Sequence, residues 1–158
     1  MSHLLIRAAR LEDAEGIFQV HKNSVESLCH ADYGPTQISM WLDGRSPETY
    51  REAIVAGNVW LACTDVIQGF VEIDGHEVSK LFVRGQAAGQ GVGARLLREA
   101  LARIEAAGHA KAYLEATLTA EKFYVASGFR KIGEGTFSRG NSPVCIEIIK
   151  MERAFPGA

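Results

Sequence analysis

The chain has 158 residues, and with 47% of them hydrophobic it can bury one core of ordinary size. Its net charge of -2 is spread without a basic stripe for nucleic acid, and no apolar run approaches the ~20 residues that cross a bilayer. Residues 1–11 carry polar and basic interruptions that break any signal-peptide core, so the composition reads as a soluble, cytoplasmic domain with no nucleic-acid or membrane partner.

Residues 4–8 read as a short strand and residues 11–28 as a helix, with Ala14, Ile17, Phe18, His21 and Val25 on one face. Glu12 and Asp13 fall in its first turn, where negative charge suits the helix dipole. Turn signals over 31–34 precede Pro35, which opens a short helix with Ile38, Trp41 and Leu42 inward. Ser46-Pro47 starts a third helix carrying Tyr50 and Ile54 and stopping at Gly57. Residues 58–63 and 69–73, rich in β-branched and aromatic side chains, form a hairpin, and 76–83 follows across the Asp74-Gly75 turn. After a glycine-rich loop, Leu96, Leu97, Ala100, Leu101 and Ile104 make the apolar stripe of a helix ending at Gly108. Residues 111–116 return as a strand parallel to the one before that helix. A short helix over 119–127 closes at Gly128, and 129–132 pairs antiparallel with 144–151 around a polar loop, 133–143, expected to be mobile. One domain spans 1–154, with a loose tail over 155–158. Cys29, Cys63 and Cys145 are odd in number and scattered, which argues against a disulfide framework or a zinc site; each reads as a buried small hydrophobe.

The stretch from Leu81 to Leu97 runs an apolar strand through Gly89, Gly91 and Gly93 into a helix over 92–107. Lacking a Cβ, these glycines can adopt a positive φ and bring backbone N–H groups close to a ligand. The helix adds its unpaired N-terminal donors and the positive end of its dipole, so the stretch reads as a cradle for a pyrophosphate that needs no metal. It is not a dinucleotide fingerprint, because the third glycine comes one residue early with Ala94 in its place. Nor is it a P-loop, because Ala94 and Arg95 follow Gly93.

Read as Ala88-Gly89-Gln90-Gly91-Val92-Gly93, the loop resembles the coenzyme A loop of the GNAT superfamily of N-acetyltransferases, Arg/Gln-x-x-Gly-x-Gly/Ala, with Ala88 standing where the family has Arg or Gln. A second register, Gln86-Ala87-Ala88-Gly89-Gln90-Gly91, satisfies the letters but begins the helix too early. Residues 116–129, with Phe123-Tyr124 followed by Gly128-Phe129, resemble the family's later motif, and the order of elements is similar to the GNAT fold over nearly the whole chain. Within the superfamily, residues 32–41 resemble the Tyr-x-Pro-x-Gln-Ile-x-x-Trp segment of a bacterial subgroup of acetyltransferases with uncharacterised substrates. The resemblance implies an α/β fold, a mixed and mostly antiparallel twisted sheet of about seven strands, its central parallel pair splayed to admit the cofactor and its faces flanked by helices.

The same resemblance implies the chemistry. Acetyl-CoA is the cosubstrate, and the acceptor is a primary amine of a small molecule or peptide that attacks directly in a ternary complex. The backbone of Phe82 and Val83 pairs with pantetheine, and the Val83 N–H region polarises the thioester carbonyl. Ala88, Gly89, Gln90, Gly91, Val92, Gly93 and Ala94 hold the diphosphate. Thr117 bonds the cofactor and caps a helix, Lys122 and Arg95 can meet phosphates, and Phe123 packs alongside. Tyr124 matches the family's general acid: a phenol with a reference pKa of ~10 is protonated at neutral pH and can donate to the leaving thiolate. Glu77 resembles a catalytic glutamate whose pKa rises on burial, with water as the alternative proton acceptor and His76 and Glu72 as lesser ones. His21 reads as structural. Asp32, Tyr33 and Trp41 are expected near the acceptor, although Trp41 at helical spacing with Ile38 fits a core. Exposed strand edges in this fold often pair into dimers, so the resemblance leaves both a monomer and a homodimer open. The alternative on the same fold is a non-catalytic acyl-CoA-binding or regulatory module, for which a phenol beside the thiolate has no use.

Overall fold

A computed structural model of the chain describes residues 3–138 and 142–157. Among them seven strands form one sheet: β1 (Leu5–Ala8), β2 (Val59–Cys63), β3 (Ile67–Asp74), β4 (Glu77–Val83), β5 (Lys111–Thr117), β6 (Arg130–Phe137) and β7 (Ile146–Ala154). They lie in the order β1-β2-β3-β4-β5-β7-β6. All neighbours are antiparallel except β4 and β5. The helices are α1 (Ala14–Leu28), α2 (Pro35–Leu42), α3 (Arg51–Val55), α4 (Val92–Ala106) and α5 (Glu121–Ala126).

Strand periodicity sorts the side chains to two faces. Trp60, Ala62, Val71, Ala112, Leu114, Ala116, Ile149 and Met151 pack against the α4 stripe of Leu96, Leu97, Ala100, Leu101 and Ile104. On the opposite face Val59, Leu61, Cys63 and Phe70 meet Ile17 and Val20 of α1 with Tyr50 and Ile54. Farther along that face, Val25, Cys29, Tyr33, Met40 and Trp41 close over Ile146 and Ile148 of β7. Each fully buried aliphatic side chain contributes about 1.5–3 kcal/mol, so these layers hold the sheet.

The β4–β5 pair positions the site. Its register consists of Glu77 opposite Tyr113, with the Tyr113 N–H donating to the His76 carbonyl at 3.0 Å. Beyond that point the strands part. β5 stays with β7 along its whole length, from Lys111 to Thr117. β4 stays with β3, and the β3–β4 register shifts by one residue where Glu72 faces Lys80 and Ile73 faces Val78. Ser79 is therefore an extra residue on β4, and such a bulge bends the strand that carries it.

Four expectations change. The first helix begins as a 3-10 turn over Leu11–Asp13, and Asp13 does more than face a dipole. Its carboxylate accepts from both Arg7 guanidinium nitrogens at 2.9 Å and from the Arg10 N–H at 2.8 Å. β6 runs five residues past the expected end at Ile132, to Phe137 opposite Ile146, which removes much of the expected 133–143 loop. The glycines that looked like loop serve close approach: a Cβ on Gly135 would meet Ile148 Cδ1 and Lys150 Cε at 3.2 Å. Residues 139–141 lie outside the described residues. Phe155, assigned to a loose tail, is 7% exposed in the α4 core, and its N–H donates to the Ala110 carbonyl. Cys29 and Cys63 are buried as expected, whereas Cys145 is exposed, just outside the alternation that begins at Ile146.

Candidate active site

The glycine loop leaves β4, makes a 3-10 turn over Gly85–Ala87 and enters α4. Gly89 and Gly91 have φ of +79° and +82°, the left-handed region that strains any residue with a Cβ. Gly93 differs from the expectation: it is helical, in the first turn of α4. There its value is space, since an added Cβ would lie 3.5 Å from Phe123 Cζ and 3.6 Å from Val83 Cγ2. The first bond of the helix is Arg95 N–H to the Gly91 carbonyl, 3.1 Å. The N–H groups of Gly89, Gly91, Val92, Gly93 and Ala94 thus have no acceptor among the described residues, and all five residues line one cleft. An anion is what such donors at a dipole's positive end suit.

That cleft, about 470 Å³, runs from the glycine loop through the split between β4 and β5 to the C-terminal end of α1. Backbone parity decides what the split offers. The Arg84 N–H donates to the Gln68 carbonyl at 2.9 Å, and bonded positions alternate along an antiparallel ladder. Phe82 and Lys80 therefore also turn their backbone groups to β3, while Val83 and Leu81 aim theirs into the split. From β5, the Tyr113 N–H points toward β4, and Glu115 and Thr117 share its direction. Val83 lines the cleft with its backbone turned to the split. Phe82, contrary to expectation, does not turn its backbone there: its carbonyl lies toward Gly69 of β3, and its ring stacks on His21 with centroids 4.0 Å apart. Leu81 is the residue that, together with Val83, has its backbone groups facing the split.

Several expected residues meet in the cleft. Ala88 lines it without a polar side chain. Thr117 lines it and caps the following turn, its Oγ1 accepting from the Ala120 N–H at 3.2 Å. Phe123 and Tyr124 of α5 also face it, with their rings in an edge contact at 5.1 Å. Tyr124 is 6% exposed, rests edge-on against Phe129 at 5.8 Å, and its hydroxyl has no hydrogen bond among the described residues. Burial alone holds its phenol well above the ordinary tyrosine range. Other expected residues lie elsewhere. Gln90 folds back, its Nε2 donating to the Gln86 carbonyl. Arg95 donates to the Leu4 carbonyl, and Lys122 is exposed away from the cleft lining.

The expected proton acceptors are not in the cleft. Glu77 stands at the closed end of the split, its carboxyl held above the usual range by burial first, then by Glu115 and Asp74. Glu72 is engaged by Lys80 Nζ and Ser79 Oγ, each at 2.8 Å. His76 lies in the β3–β4 turn, its ring 5.9 Å from His109 and 6.1 Å from Tyr113. The carboxylate that does line the cleft is Glu115, which accepts from the Tyr113 hydroxyl at 2.8 Å. That bond and the charges of Glu115 and Glu77 add to burial in pushing the Tyr113 phenol up to about 12. Alternation along 111–117 was the available signal for Glu115, because it places residues 113, 115 and 117 on the face opposite the α4 core.

Ser24 and Leu28 of α1, its cap residue Cys29, and Thr119 also line the cleft. Burial raises the Cys29 thiol above its ordinary pKa, so it is not a ready thiolate. Asp32 accepts from Thr119 Oγ1 at 2.8 Å. Tyr33 is buried and structural: its hydroxyl donates to the Glu147 carbonyl at 2.7 Å and accepts from the Leu118 N–H at 2.9 Å, joining the end of β5 to β7. Trp41 is core, edge-on to Tyr33. His21 is core too, 2.7 Å from the Tyr50 hydroxyl. Among the described residues no group of His, Cys, Asp and Glu is arranged to hold a metal, and no helix is long and apolar enough to cross a membrane.

A parallel strand pair split beside an anion cradle, within this strand order, is the GNAT acyltransferase fold. Residues 29–152 match the family model described as the acetyltransferase (GNAT) domain, and the chain belongs to that family. The GCN5-related N-acetyltransferase of Rhodopseudomonas palustris superposes with a TM-score of 0.88 at 23% identity, over 98% of each chain. PaiA N-acetyltransferase of Thermoplasma acidophilum, in complex with coenzyme A, gives 0.78 at 21% identity over 97% of this chain and 99% of its own. YncA of Salmonella typhimurium, with its cofactor acetyl-CoA, gives 0.72 at 14% identity over 98% and 95%. At these identities the likeness is one of fold. No curated protein sequence matches.

Proposed function

We propose that the protein is an acetyl-CoA-dependent N-acetyltransferase that modifies a primary amine of a small molecule or peptide by direct attack in a ternary complex. The observation that carries this reading is the Tyr124 phenol, buried, unbonded among the described residues and facing the cleft that holds the anion cradle. A module that only bound the carrier would gain nothing from keeping a desolvated hydroxyl there.

The residues fit coenzyme A: open N–H groups suit a diphosphate, and the split offers strand-like partners to an amide-bearing arm. Acetyl-CoA would supply the activated acyl group. The N–H groups of Gly89, Gly91, Val92, Gly93 and Ala94 hold the diphosphate, with affinity resting on the backbone because Ala88 has no polar side chain. Leu81 and Val83 orient the arm, and the Val83 N–H stabilises negative charge developing on the carbonyl oxygen. Tyr124, kept protonated by burial, donates its proton to the departing sulfur, and the proton released by the acceptor nitrogen passes to water. Leu28, Cys29 and Phe123 exclude water.

Incubating the protein with acetyl-CoA and a panel of polyamines, amino acids, aminoglycosides and peptides, while recording free thiol and acetylated amine, tests the proposal. Amine-dependent thiol release with an acetylated product is the expected result. Tight acetyl-CoA binding with no release across the panel would shift the assignment to a non-catalytic acyl-CoA-binding module.

A further inference from the structure

The lining of the cleft contains two charged side chains, Lys80 and Glu115. Lys80 is answered by Glu72 at 2.8 Å, an ion pair whose side chains are 23% and 10% exposed. Glu115 has no such answer among the described residues. Its cross-strand neighbour Lys150 leans the other way, with its Cδ and Cε over Gly133 and Gly135 of β6. Glu77 adds a second negative charge from β4, and the Tyr113 hydroxyl holds the Glu115 carboxylate through Oε2 alone. Glu115 lies two residues past Tyr113, the residue of β5 that pairs with β4, so it stands at the apex of the split.

Two further observations mark the cleft that Glu115 lines as a place for a ligand. Tyr124, 6% exposed and without a hydrogen bond among the described residues, lines the same cleft. The cleft is also lined by the C-terminal end of α1, where Leu28 and the cap residue Cys29 bring the negative end of a 15-residue helix dipole to it. Carboxylate and dipole therefore act with one sign on whatever enters from this side, which favours a cation and opposes an anion.

Resting on the acetyltransferase reading above, we propose that Glu115 is the acceptor anchor: its carboxylate receives the ammonium group of the acceptor, and the site takes primary amines that carry no carboxylate beside the amine. Glu77 stands behind it, reinforcing the field. Recognition precedes any proton transfer, and the selectivity lies in binding.

The test is calorimetric titration of the coenzyme A complex with phenylalaninamide and with phenylalanine at about pH 6.5, where both amines are protonated. The two probes share a skeleton and differ in the carboxylate. Glu115 is exposed at the cleft, so wild type is expected to bind the amide about three- to fivefold tighter, as for a solvent-exposed ion pair. Glu115→Gln keeps the shape and the acceptor for Tyr113. It should bind coenzyme A as wild type does, yet prefer the amide by about twofold or less. Glu134→Gln, which removes the same charge from an exposed position on β6, should keep the full preference. Equal binding of the two probes to wild type, or a preference that survives Glu115→Gln, overturns the inference while leaving the acetyltransferase reading intact. Failure of wild type to bind coenzyme A overturns both.

Discussion

Replacing Tyr124 with Phe removes one oxygen from a packed ring and separates the chemistry of this site from its architecture. The ring sits edge-on between Phe123 and Phe129, and these contacts survive the change. The hydroxyl has no hydrogen bond among the described residues, so no buried partner is orphaned and folding stability should move by less than about 1 kcal/mol. Coenzyme A affinity should hold, because the cradle is backbone. If the phenol protonates the leaving sulfur, turnover should fall by about 10²–10⁴, the usual contribution of a positioned acid, equivalent to roughly 3–5 kcal/mol of barrier. Linkage supplies an independent readout. Burial raises the folded pKa above the unfolded value of ~10, so the native state keeps a proton that the unfolded chain loses. The corresponding stability is fully present below that pH and is lost as pH rises further; the Phe variant should show a shallower alkaline decline in urea melts. An unchanged kcat at saturating acetyl-CoA, with unchanged affinity and fold, would refute the assignment of Tyr124 as acid.

Gly93→Ala separates fold from cradle in the opposite sense: a helical Ala gains about 1 kcal/mol over Gly, with room for its Cβ 3.5 Å from Phe123. Melting should therefore rise while coenzyme A binding by calorimetry weakens, and undiminished affinity would mean the diphosphate lies elsewhere. Tyr33→Phe loses bonds to Glu147 and Leu118 and strands the Leu118 N–H, costing about 2 kcal/mol in denaturant melts. Asp13→Asn weakens the paired bonds to Arg7 and should cost about 2 kcal/mol at neutral pH. The Arg7 guanidinium holds the Asp13 carboxyl below its ordinary value, so this stability is present above about pH 4 and disappears as pH falls through the lower folded pKa. The variant's acid unfolding midpoint should shift less with pH than that of wild type.

The sequence by itself determined what local chemistry can carry. Helix and strand periods placed Leu96 to Ile104 against the sheet, glycines at positions of positive φ marked the loop before α4, and Gly128 closed the helix bearing Tyr124. Each is a property of a few neighbouring residues, so it survives without knowledge of the rest of the chain. The extent of β6 was hidden because Gly133 and Gly135 read as loop until Ile148 and Lys150 of another strand pressed on them. Phe155 read as tail until Ala110 held it. The choice among carboxylates was equally beyond local reading: Glu72, Glu77 and Glu115 are the same residue type on strands. Only the tertiary structure decided which one is neutralised by Lys80, which closes the split and which enters it. That decision depends on the bulge at Ser79 and on the β4–β5 and β5–β7 registers, because electrostatic neighbours across a sheet are set by strand pairing between distant segments.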